Sequence, residues 1–233
     1  MTNQREANEV PDFGDIPDPV AAPASGLPAS SPRFDAGAPT RENTRTRRFA
    51  ALALGIGWVG AQLAVYGFRD DLPALPPSYV AMQVVLPLAL AVASLVVATR
   101  AGRFGLGVNV GLLMALGLSG PLSFWLMSVA APLPRVAEAG GDSWVKAFVC
   151  LDITLSWAAV PMLCAALALR RAFPSASSWR SALVGSACGL FAGGVMNLHC
   201  ANIDRFHMLF GHGIPVVVSA LVGALLMQRL VRI

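Results

Sequence analysis

Six stretches of this chain, at about residues 49–68, 79–99, 106–129, 147–169, 182–201 and 208–230, are nearly unbroken apolar runs. A helix of about 20 apolar residues crosses the ~30 Å hydrocarbon layer, so each run matches one crossing. Lipid offers no hydrogen bonds to a bare backbone, and runs of this length therefore have to be helical. With 55% apolar residues and 13% charged residues, little polar surface remains to cover a soluble domain of 233 residues. The expectation is an all-α integral membrane protein with six transmembrane helices, in direct contact with the lipid bilayer.

The basic residues set its orientation. Arg45, Arg47, Arg48, Arg100, Arg103, Arg170, Arg171, Arg180, Arg229 and Arg232 fall on one side of the expected membrane, against Arg69, Arg135, Lys146 and Arg205 on the other. Short cytoplasmic loops carry the excess of Lys and Arg, which places both termini in the cytoplasm. The net charge of +4 is then a topology signal, with no direct nucleic-acid partner implied. A long polar stretch precedes the first span, and no small-residue cleavage site follows it, so it reads as a retained helix.

Residues 1–44 differ in composition, with Pro11, Pro17, Pro19, Pro23, Pro28, Pro32 and Pro39 and few large apolar residues. Too little surface is available there to offset ordering entropy, so a disordered cytoplasmic tail is expected ahead of a transmembrane domain at 45–233. The tail is acidic through Asp35 and turns basic from Arg41 to Arg48. It is either a solvated leader beside the lipid headgroups or a segment that folds on a cytoplasmic partner, with Val10, Phe13, Ile16 and Val20 as apolar anchors.

Within the spans, Gly185, Gly189 and Gly193 recur every four residues, and Gly107 with Gly111 repeats the step once. Small residues at this spacing let helices approach closely, so these are expected packing positions. Pro87, Pro121, Pro161 and Pro215 predict kinks, while Gln62, Gln83, Asn109 and Asn197 predict interhelical hydrogen bonds. Asp152 is expected either to pair with Lys146 or Arg205 or to bind a ligand.

Cys150 opens the fourth span and Cys200 closes the fifth, so both belong at the same outer level. Cys164 and Cys188 lie about 20 Å deeper at 1.5 Å per residue and read as packing residues. The outer pair has three open readings: interfacial packing, a disulfide, or a redox or metal sensor. For the last, Cys150, His199, Cys200 and His207, with His212 nearby, supply ligands suited to a thiophilic ion such as zinc, cadmium or copper. No P-loop, dinucleotide motif, HExxH pair or nucleophile elbow occurs. The chain is therefore not expected to be an enzyme, has no candidate catalytic residue, and requires no cofactor.

The stretch from Cys150-Leu-Asp-Ile-Thr-Leu through Pro161 to Arg170-Arg171 is followed by the glycine-stepped helix ending Leu198-His199-Cys200, then by a last span ending Arg229-Leu-Val-Arg232. Over about the last ninety residues this pattern resembles the six-span anti-sigma factors of the NrsF type. That resemblance implies a bacterial inner-membrane protein whose cytoplasmic N-terminal segment holds an extracytoplasmic-function sigma factor. It also implies a part for Cys150, His199 and Cys200 in perceiving an envelope signal, redox or heavy metal. The alternatives are a small multispan transporter, for which matching interruptions in two halves of the chain are missing, and a membrane redox protein, for which a Cys-x-x-Cys motif is missing.

Overall fold

The computed structural model describes residues 41–99, 109–130, 143–169, 178–202, 204–227 and 229. The tail positions Val10, Phe13, Ile16 and Val20 lie outside these residues, as do the basic positions Arg100, Arg103, Arg170 and Arg171. All regular structure among the described residues is helical. Helix α1 spans Arg41–Tyr66 and so takes in 41–44. Helix α2 is Pro77–Thr99, α3 Val110–Ala130, α4 Ser143–Leu169 and α5 Ser178–Met196. Helix α6 opens at Arg205–His207, continues through Met208–Gly213 and Ile214–Val222, and ends in Gly223–Met227.

Segments of α1, α2, α3, α4 and α6 are long and apolar enough to cross a membrane. Large apolar side chains point outward from them, among them Leu54, Val65, Val92, Leu118, Leu167 and Leu225. Such a surface would drive aggregation in water and suits lipid. The remaining helix, α5, has a different role. Glycine, serine and alanine replace its large side chains, and it packs against α2, α3, α4 and α6 as the centre of the bundle. Its residues from Leu183 to Leu190 are all buried.

Small residues are needed there because backbones meet. A Cβ on Gly185 would strike the Ser219 carbonyl oxygen of α6, and one on Gly189 would sit 2.8 Å from Val216 Cα. Gly193 instead faces Phe124 of α3, where a Cβ would come within 3.0 Å of the ring. Gly223 answers Gly185 from the opposite helix, its hypothetical Cβ 3.0 Å from Gly185 Cα. On α3, a Cβ at Gly111 would meet only the neighbouring Asn109 side chain, so that glycine makes no helix contact of this kind, and Gly107 lies outside the described residues.

Pro87 and Pro215 each follow a widened π turn, Ala81–Val85 and Met208–Gly213, by two residues. A proline ring clashes with the carbonyl four residues back, and widening the preceding turn relieves that crowding. The Gln83 carbonyl, deprived of the Pro87 N–H, accepts instead from Asn197 Nδ2 at 2.6 Å. This bond ties α2 to the end of α5. Asn197 thus makes the expected interhelical bond, to the Gln83 backbone, whereas the Gln83 side-chain oxygen Oε1 is buried without a partner. Pro121 and Pro161 lie inside α3 and α4.

Candidate functional site

Four side chains converge where α1 and α5 finish and α4 and α6 begin. The Cys150 Sγ, on the second turn of α4, lies 3.7 Å from the Cys200 Sγ in the turn after α5. Both are free thiols. His207 Nε2 is 3.1 Å from Cys200 Sγ, and the ligand atoms of Cys150, Cys200, His207 and His212 all lie within 4.8 Å of one another. Both histidines are completely buried, and His207 Nδ1, His212 Nδ1 and His212 Nε2 have no hydrogen-bond partner.

The local sequence explains the convergence. Asp204 caps the start of α6, its carboxylate accepting the His207 backbone N–H at 3.2 Å, which fixes the turn that carries His207. In a regular α-helix, residues five apart point about 140° away from each other. The π turn at Met208–Gly213 follows five-residue hydrogen bonding, and it brings His212 back towards the face of His207, with ring centroids 5.5 Å apart. Gly211 lets α4 come close, because a Cβ there would sit 3.1 Å from Cys150 Cβ. Around this contact Trp144 packs on Phe206 at 3.7 Å, Phe206 stacks on Phe210 at 5.0 Å, and Phe148 meets Phe210 edge-on at 5.5 Å. These rings brace the first turns of α4 against those of α6.

A latch from the α1–α2 connection closes over Cys200. Gly67 ends α1 at φ 83°, a conformation natural to glycine, with its N–H donating to Leu63 O at 2.8 Å. Two residues on, the Arg69 N–H donates to Leu198 O at 2.9 Å, and Arg69 Nη1 donates to Cys200 O at 3.0 Å. Asp71 neutralises the buried guanidinium through bonds from Nε at 2.6 Å and Nη2 at 2.7 Å. These bonds hold the Asp71 carboxyl below its ordinary pKa and raise that of Arg69. Because the carboxyl pKa is depressed, the pair contributes above the ordinary Asp range and is lost as pH falls through the lowered value. We expect Arg69→Gln to unfasten the Cys200 turn without substituting any of the four clustered side chains. Alkylation of Cys200 by a membrane-impermeant maleimide should then run several-fold faster than in the wild type, and an unchanged rate would argue against a latch.

Cys150, Cys200 and His207, singled out from the sequence, are thus brought together. His199 is not among them. Its Nδ1–H donates to Gly67 O at 3.0 Å, and its ring meets Tyr66 edge-on at 5.6 Å, so it fastens the turn to the end of α1. His212 takes the fourth place. Asp152 is exposed and forms no ion pair with Lys146 or Arg205 among the described residues, whereas Arg69 pairs with Asp71. Arg69, Asp71 and Gly211 carried no sequence signal beyond the Arg-Asp spacing.

Residues 35–233 match the profile of the NrsF family, described as negative regulator of sigma F. The chain belongs to the NrsF family. A protein of Azospira oryzae (strain ATCC BAA-33 / DSM 13638 / PS) named "Probable anti-sigma-F factor NrsF" is 30% identical over 212 residues, covering 84% of this chain and 94% of that relative. No solved structure matches the chain. The NrsF match takes in the whole bundle and all four clustered side chains, and it starts beyond the tail anchors Val10 to Val20.

Proposed function

We propose that this NrsF-family chain is a membrane-embedded anti-sigma factor of the bacterial inner membrane. It holds an extracytoplasmic-function sigma factor away from RNA polymerase through its cytoplasmic segments and releases it when Cys150 and Cys200 meet an envelope signal. It acts by binding, with no catalytic step. The observation that carries the sensing part is the pair of free thiols 3.7 Å apart, each on a different arm of the bundle. A two-electron oxidant that takes up the electrons of both thiols and frees their two protons would join the sulfurs, and a thiophilic ion would bridge them. Either event favours one arrangement of α4 against the α5 turn. It shifts the balance only by its differential affinity, about 1.4 kcal/mol for each tenfold. The Arg distribution supports cytoplasmic termini, with the thiol pair on the far side of the membrane. Since α1 runs from the tail to the thiol end, the bundle itself would transmit the change.

Capture from solubilised membranes tests the partner. Full-length protein is expected to retain a sigma factor, identified by mass spectrometry, and a chain lacking residues 1–35 is expected to lose it. Equal retention by both would move the binding site to the cytoplasmic loops. Folded protein that retains none in either form would overturn the reading.

A further inference from the structure

We propose that Cys150 Sγ, Cys200 Sγ, His207 Nε2 and one ring nitrogen of His212 form a closed four-ligand site for a single zinc or cadmium ion. This deepens the sensing reading above, but its test uses the purified protein alone and stands or falls without a sigma factor.

Three observations converge. First, the ligand spacing is that of a coordination shell: a tetrahedron with metal–sulfur bonds of about 2.3 Å has sulfurs about 3.8 Å apart, and Cys150 and Cys200 stand at 3.7 Å. The four ligand atoms already lie within 4.8 Å of one another, so binding needs only small side-chain shifts. Second, His212 has no hydrogen-bond partner on either nitrogen although it is fully buried. A buried polar group in that state is costly, and a metal bond supplies the missing partner. Third, the charges close. Two thiols lose their protons on binding, and two thiolates with two neutral imidazoles offset the charge of a divalent ion, leaving a neutral centre suited to a low-dielectric bundle.

The ligand chemistry selects the ion. Thiolate and imidazole disfavour magnesium and calcium, which take oxygen, and mixed sulfur and nitrogen in a tetrahedral set favour a d10 divalent ion. Four protein ligands leave no open position for substrate, so the site is structural or regulatory. Its mechanical effect would be to clamp α4, the α5 turn and the first turns of α6 together.

The test is a titration of the full-length protein, reduced and held in detergent micelles, with cobalt(II) followed by zinc. One cobalt per chain is expected, with the visible bands of a tetrahedral site and a near-ultraviolet thiolate charge-transfer band, both bleached by zinc. X-ray absorption of the zinc form should count two sulfurs and two nitrogens. Cys150→Ser, Cys200→Ser, His207→Gln and His212→Gln should each weaken zinc binding by about tenfold or more, whereas His199→Gln should retain it. Substituting a buried histidine can itself unfold the bundle, so the wild-type absorption count stands as an independent measure. No stoichiometric metal, a shell without nitrogen, or His212→Gln protein that is folded and binds zinc as tightly as the wild type would each overturn the proposal.

Discussion

Gly185→Ala is expected to destabilise the bundle by about 2 kcal/mol or more, although alanine is the better helix former by roughly 1 kcal/mol. The reason is what the new methyl would meet. Its nearest neighbours are the carbonyl oxygen and carbon of Ser219 and the Cα of Gly223, all main-chain atoms of α6. No rotamer change clears them, so α5 and α6 must separate, and α5 is the helix on which α2, α3 and α4 also pack. Gly57→Ala and Gly60→Ala make the internal contrast. A Cβ at either position on α1 meets nothing within 4 Å, so these changes should be neutral or stabilising by up to about 1 kcal/mol. Thermal unfolding of the three variants in one detergent decides the matter. Equal losses at Gly185 and Gly57 would mean that the close α5–α6 approach is not what the glycines serve.

The same helix shows what hydropathy reveals and what it hides. Apolar runs marked all six helices, but in α1, α2, α3, α4 and α6 the outer faces are large and apolar, as lipid contact selects. Helix α5 meets mainly protein, and its buried face is built of small residues, so its four-residue glycine step, and not its apolarity, is what sets it apart as the packing centre. The shared level of Cys150 and Cys200 followed from counting residues along two helices, since depth in a membrane is nearly a linear function of position, while their contact at 3.7 Å comes from the packing of α4 on the α5 turn. Of the histidines, His207 joins the pair as its place in the sequence suggests, whereas His199 and His212 did not yield to such counting. His199 stands next to Cys200 in sequence, yet the turn after α5 aims it at Gly67. His212 looks misplaced on an α-helical wheel and joins the cluster through a π turn that Pro215 announces only indirectly. Arg69 belongs to the same class. A lone basic residue in a short connection reads as solvated, and its burial depends on Asp71 and on the Cys200 carbonyl far along the chain.

Replacing Cys150 and Cys200 together with serine should abolish release of the sigma factor while leaving its retention intact. Serine keeps the size of the side chain to within a small change of bond length, and the pair sits at the edge of the core with both residues only half-buried, so the bundle should fold. Two properties are lost. Hydroxyls neither form a disulfide nor compete for a soft ion, so oxidant and metal signals fail together. A promoter reporter for the sigma factor should therefore stay at its uninduced level under stimuli that raise it in the wild type. The single variants separate the two chemistries. Loss of either sulfur removes every intramolecular disulfide between them, whereas a metal centre that still has one thiolate and two imidazoles keeps part of its affinity. Residual response to cadmium but none to an oxidant, in Cys150→Ser and in Cys200→Ser alike, would place the histidines in the sensing event. A double variant that induces normally would remove the thiols from signalling and return the search to the other elements at that end of the bundle, beginning with the Arg69 latch.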